Sequence, residues 1–177
     1  MSWRRVAVIY AVLAALAVWV FVVDPEAPDA EMPAPVAAAP SLLDTDASAV
    51  TALTFRKDGK VVRAQRVEQR WAVLEPNGVK IPPDLFDATV ATLTVGQPAE
   101  ELSQEPANAY AAYGLATPAT TLEVILGEAA PPILVSLGDE NPTRTAVYAR
   151  RSDRPAIFLV GLNLRYYIDL VFGAANP

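Results

Sequence analysis

The sequence predicts an α+β protein: one N-terminal transmembrane helix followed by an antiparallel-sheet domain, built as two units that are each a strand meander closed by a helix. Three observations predict it. An uncharged apolar run fills residues 6–23. From residue 50 onward, short β-branched segments alternate with turn residues. Each series of strands then runs into an amphipathic segment, at 85–93 and again at 162–172.

The apolar run holds 18 residues, with Arg4 and Arg5 before it and Asp24, Pro25 and Glu26 after it. As a helix it would cover about 27 Å, close to the roughly 30 Å hydrocarbon core of a bilayer. A cleaved signal would have a shorter core and a small-residue cleavage site close behind it. The nearest such site, Ala37-Ala38-Ala39, is distant and is followed by Pro40. The expectation is therefore an uncleaved anchor.

The flanking charges orient that anchor. Residues 1–23 contribute +2 and residues 24–46 contribute −6, which puts the N-terminus in the cytoplasm and the remaining chain in the periplasm of a bacterial inner membrane. Trp3 and Trp19 stand where amphipathic rings settle at the two interfaces. Ala7, Ala11 and Ala15 recur every four residues with Ala14 beside them, a stripe of small residues on which another membrane helix could pack.

Composition removes several chemistries. The sequence has no Cys and no His, so disulfides, cysteine nucleophiles, Ser-His-Asp triads and metal or haem sites built on imidazole or thiolate are excluded, and no cofactor is expected. Net charge is −6, of which the part beyond residue 46 carries only −2, with no basic face suited to nucleic acid. Residues 24–47 are read as an acidic Pro/Ala-rich linker, whose stretch from Asp24 to Pro40 has a composition that cannot bury a core. The organisation expected is thus residues 1–23 as cytoplasmic tip and anchor, 24–47 as linker, and 48–177 as a periplasmic α+β domain.

Within the domain, residues 50–55 alternate, Lys57-Asp58-Gly59-Lys60 supplies a hairpin turn, and 61–67 and 71–74 continue as strands. Glu75-Pro76-Asn77-Gly78 turns, and 79–81 extends briefly. Pro82-Pro83-Asp84 opens a helix with Leu85, Phe86, Val90 and Leu93 on one face and Gly96 beyond its end. Residues 106–113 form a helical turn that Gly114 ends as a left-handed cap. Strands follow at 120–126, 133–137, 146–150 and 156–160, and residues 162–172 form the last helix.

The order Trp71-Ala72-Val73-Leu74-Glu75-Pro76, Pro83-Asp84, Tyr113-Gly114-Leu115 with Pro118, Leu137-Gly138-Asp139 and Val147-Tyr148-Ala149-Arg150 resembles a bacterial family of membrane-anchored extracytoplasmic domains of unknown function. The resemblance covers roughly residues 48–172. It implies a single N-terminal span and, for many members, a gene neighbouring an ABC-type exporter of the kind linked to gliding motility. It supplies no catalytic residues.

Candidate chemical sites are few. Gly138-Asp139-Glu140-Asn141 gathers oxygen ligands but lacks the alternating spacing of a calcium loop. Glu100 and Glu101 with Glu105 form a carboxylate group, and Ser48 with Lys57 or Lys60 a conceivable dyad. Arg56, Arg63, Arg66 and Arg70 surround the first hairpin and could dock an acidic partner or lipid headgroups, with Arg63 and Arg66 the candidate contacts. The final helix is apolar nearly all round, which makes Tyr166, Leu170 and Phe172 candidate partner contacts. The function expected is a non-catalytic accessory subunit that packs against a larger respiratory, photosynthetic or transport membrane complex and the lipid bilayer. An auxiliary exporter component is the alternative, and a carboxylate or Ser-Lys hydrolase a remote one.

Overall fold

The computed structural model describes Trp3 and residues 10–13, 41–96, 99–103, 107–127 and 130–176. Eight strands form one antiparallel sheet: β1 (Val50–Lys57), β2 (Lys60–Val67), β3 (Arg70–Glu75), β4 (Glu100–Ser103), β5 (Thr120–Leu126), β6 (Ile133–Glu140), β7 (Ala146–Arg151) and β8 (Ile157–Gly161). Their order across the sheet is β3-β2-β1-β5-β6-β7-β8-β4. Among the described residues from 41 onward two α-helices accompany it, α1 (Pro83–Ala91), which continues into a π-helical turn over Thr92–Gly96, and α2 (Asn163–Ala175).

This corrects the expected fold class in two respects. The two meanders are not separate units, because β1 pairs along its length with β5, placing Leu53 opposite Val124 and Phe55 opposite Leu122. Those apolar side chains share one buried face, which fuses both halves around a single core. Second, no helix among the described residues is long and apolar enough to cross a membrane. Only residues 10–13 of the expected span are described as a continuous helical stretch, about 6 Å at 1.5 Å per residue. Ala7, Ala14, Ala15 and Trp19 lie outside the described residues, while Trp3 and Ala11 are exposed.

Strand alternation decides what each sheet face does. Leu53, Phe55, Val62, Ala64, Leu122, Val124, Val135, Leu137, Val147 and Ala149 are all buried and form the core with α1 and α2. Phe86 of α1 stands 6.0 Å from the Phe55 ring and 5.6 Å from the Trp71 ring, centroid to centroid. Proline at the first helical position starts α1 at no cost in hydrogen bonds. From α2, Leu164, Ile168, Val171 and Phe172 face inward at helical spacing.

The segment ahead of β1 belongs to this core. Leu42 and Leu43 are buried, and the Leu43 N–H donates to the Leu93 carbonyl at 2.8 Å. The packed unit therefore begins ahead of Ser48, because two adjacent leucines fill the space between sheet and α1 whatever the polarity of their neighbours.

Candidate functional site

Among the described residues, the opposite sheet face is covered at only one end. There the 3-10 segment Ala107–Tyr113 and Leu115 lie over β7 and β8, so that Tyr110, Leu115 and Ile157 form a second, smaller cluster with Tyr113 and Tyr148. Among the described residues, no helix covers this face over β3, β2, β1 and β5. A concavity of about 550 Å³ opens there, lined by Thr54, Arg63, Gln65, Leu74, Glu123 and Ile125 among others.

The register builds this surface. Thr54 stands opposite Arg63 on β2 and opposite Glu123 on β5, so an unlike-charged pair flanks a hydroxyl across three strands. Arg63 Nη1 also lies 3.9 Å from Glu75 Oε2 on β3, both side chains about half exposed. Leu74, 49% exposed, and Ile125 add apolar area between the polar groups.

Arg63 is thus placed where a partner can reach it, and Arg66 is not. Three residues along the same strand, Arg66 points to the helix face, where its guanidinium donates to the Ala47 carbonyl at 3.2 Å and to Asp87 Oδ1 at 3.1 Å and lies 4.8 Å from the Trp71 ring centroid. Trp71 Nε1 donates to the same carboxylate oxygen at 2.7 Å. Arg66 is a brace between β2, α1 and the entering chain. Arg56 and Arg70 are exposed.

The final helix divides likewise. Phe172 is buried, Leu170 is half-buried, and Tyr166 is 58% exposed with its ring 5.7 Å from that of Tyr167. Only Tyr166 of the three stands clear of the core.

The remaining chemical candidates are not assembled. Lys57 Nζ donates to Asp169 Oδ1 at 2.6 Å and Lys60 Nζ to Asn176 Oδ1 at 3.3 Å, while Ser48 lies beyond the far end of β1, more than about 20 Å away from Lys57 at the usual rise per strand residue. Glu100 and Glu101 are successive residues of the edge strand β4, pointing to opposite faces; Glu105 lies outside the described residues. In the Gly138–Asn141 stretch, Asn141 Oδ1 accepts from the Thr145 and Ala146 N–H groups at 2.9 and 3.2 Å, and Glu140 accepts from Arg165 at 3.4 Å. Among the described residues no three carboxylates converge as metal ligands would.

Two arrangements had no clear signal in the sequence. Arg151, 6% exposed, donates to the Leu42 carbonyl at 2.7 Å and grips Asp153 through Nε at 2.9 Å and Nη2 at 2.5 Å. That hydrogen bonding, with the positive charge of Arg151, holds the Asp153 carboxyl below its usual range. The neighbouring Arg154 donates to Asp44 at 2.6 Å. The second arrangement is the approach of two backbones at Tyr113-Gly114-Leu115 and Gly138-Asp139. Gly114 has φ +68°, and a Cβ on Gly138 would collide with the Tyr113 carbonyl oxygen.

These two glycine stretches fall within residues 71–172, which match the family model described as Domain of unknown function (DUF4340). The chain belongs to the DUF4340 family. No curated protein and no solved structure matches it. Among the family-like motifs of this chain, Tyr113-Gly114-Leu115 and Leu137-Gly138-Asp139 have one physical cause: they are the two sides of a single backbone contact that admits no side chain. The match includes β3, which borders the uncovered face, and the whole of α1 and β5 to β8.

Proposed function

We propose that this DUF4340 chain is a non-catalytic accessory subunit of a larger membrane complex, located on the periplasmic side of a bacterial inner membrane, and that it binds a partner subunit through the helix-free face of β3, β2, β1 and β5. The observation that carries this reading is the concave surface around Arg63, Gln65, Leu74 and Ile125, which combines apolar area with paired charges and, among the described residues, has no covering helix. The membrane location is supported by the amino-acid sequence, through the uncharged run 6–23 and the change from Arg4 and Arg5 to six acidic residues within 24–46. Association with an ABC-type exporter is the second reading, supported by DUF4340 membership together with the resemblance of the sequence motifs.

The test is to extract the protein from its native membrane in mild detergent and compare the wild type with Leu74→Arg. The exposed position of Leu74 lets the domain fold with the new charge. A large particle with stoichiometric partners that shrinks to the lone subunit in the variant supports the reading. A lone wild-type monomer contradicts it.

A further inference from the structure

We propose that the cleft between the β7–β8 turn and Tyr110 binds a phosphate group. The cleft holds about 440 Å³ and is lined by Tyr110, Arg150, Arg151, Ser152, Asp153 and Arg154. It is distinct from the uncovered sheet face and does not rest on the function proposed above.

Arg150 is the group around which the site is built. Its guanidinium carbon lies 4.8 Å from the centroid of the Tyr110 ring. Tyr110 is itself buried, packed with Leu115 and Ile157, and its carbonyl accepts from the Leu115 N–H at 2.9 Å. A guanidinium held over a fixed ring is restrained in position while its N–H groups can still donate to an anion.

The charge balance indicates an anion. The buried or half-buried Arg66, Arg151 and Arg165 each have a carboxylate within ion-pair distance. Arg150 is half-buried as well, yet among the described residues it has none. A partly desolvated cation without a counter-charge is costly, and the ring compensates only part of it.

The neighbouring groups are set to donate. Ser152 Oγ accepts from the Leu134 N–H at 2.9 Å, which leaves its own hydrogen to give. Arg154 spends one nitrogen on Asp44 and keeps other N–H groups. The acidic residue on the cleft wall, Asp153, has both oxygens taken by Arg151. Two guanidinium forks and a hydroxyl on separate side chains suit an anion with at least three acceptor oxygens, which a phosphate has and a carboxylate lacks. Inorganic phosphate meets this fully, and the phosphodiester of a lipid headgroup shares its tetrahedral anionic centre with two strong acceptor oxygens and two weaker ester ones.

The experiment is isothermal titration of the full chain, in non-ionic detergent at low ionic strength, with inorganic phosphate and separately with glycerophosphoglycerol, a soluble phospholipid headgroup. At least one probe should saturate with a dissociation constant on the order of millimolar or tighter. Arg150→Gln should weaken it about ten-fold or more, Arg150→Lys several-fold, and Arg70→Gln, on the far strand, should leave it unchanged. Preference for inorganic phosphate marks a free-anion site and preference for the diester a headgroup site. Absence of saturation by both probes up to about 20 mM overturns the proposal, as does equal affinity in the Arg150 variants. Arg154→Gln, altering an exposed side chain, provides the same comparison if an Arg150 variant does not fold.

Discussion

Gly114 faces Asp139 so closely that a Cβ on the glycine would lie 2.6 Å from the Asp139 Cγ and 2.8 Å from its backbone nitrogen. The backbone of Gly114 is also left-handed, with φ +68°. Gly114→Ala therefore combines left-handed strain of about 1 kcal/mol with a clash against backbone, and we expect a loss of roughly 2–4 kcal/mol in urea unfolding. Gly59→Ala is the control: its φ is +77° but nothing lies within 4 Å of a new Cβ, so it should cost only about 1 kcal/mol.

Arg151 anchors the entering chain to β7 from a buried position. Arg151→Met would leave the Leu42 carbonyl without its donor and should destabilise by about 2–3 kcal/mol in the same assay. Arg154→Gln, which breaks the exposed pair with Asp44, should change stability by less than about 1 kcal/mol. Equal effects would show that the buried donor does not hold the segment in place.

Asp153 makes part of that stability pH-dependent. Its carboxyl titrates below the ordinary value of 3.8 when folded, chiefly through its hydrogen bonds from Arg151. The folded state then binds fewer protons than the unfolded state in that range, so the contribution is complete above the ordinary value and is lost as pH falls through the lowered one. Unfolding curves of wild type and Asp153→Asn should thus differ most above about pH 4 and converge as the pH falls through the lowered value.

The last helix supplies a further contrast. Phe172→Ala opens the core and should cost about 3–5 kcal/mol, while Tyr166→Ala, at an exposed ring, should cost no more than about 0.5 kcal/mol. Thermal melts of both variants decide whether the two aromatics belong to different surfaces.

How far these features could be read from sequence follows from the range of the signal. The first hairpin was legible because alternation and Asp58-Gly59 are local, and so was the existence of the last helix. Its inward face was not: the segment is apolar nearly all round, and Phe172, expected at a partner contact, is buried with Leu164, Ile168 and Val171. Joining the halves was not, since the β1–β5 ladder links residues such as Phe55 and Leu122 whose separation leaves no local trace. Strand β4 was hidden because Glu100 and Glu101 carry no apolar pattern; it is an edge strand held by its ladder to β8. Opposite fates for Arg63 and Arg66 were present in strand parity, an odd separation placing them on opposite faces. Nothing in the run Arg150-Arg151-Ser152-Asp153-Arg154 singles out the one arginine that is buried.

The central claim, that the uncovered sheet face is the partner surface, is tested most directly by photo-crosslinking in native membranes. One probe replaces Gln65 on that face and another replaces Tyr166 on α2. The account predicts that the Gln65 probe joins the chain to one membrane subunit in high yield and that Leu74→Arg abolishes the product. Crosslinking from Tyr166 alone, or from neither position, would contradict it.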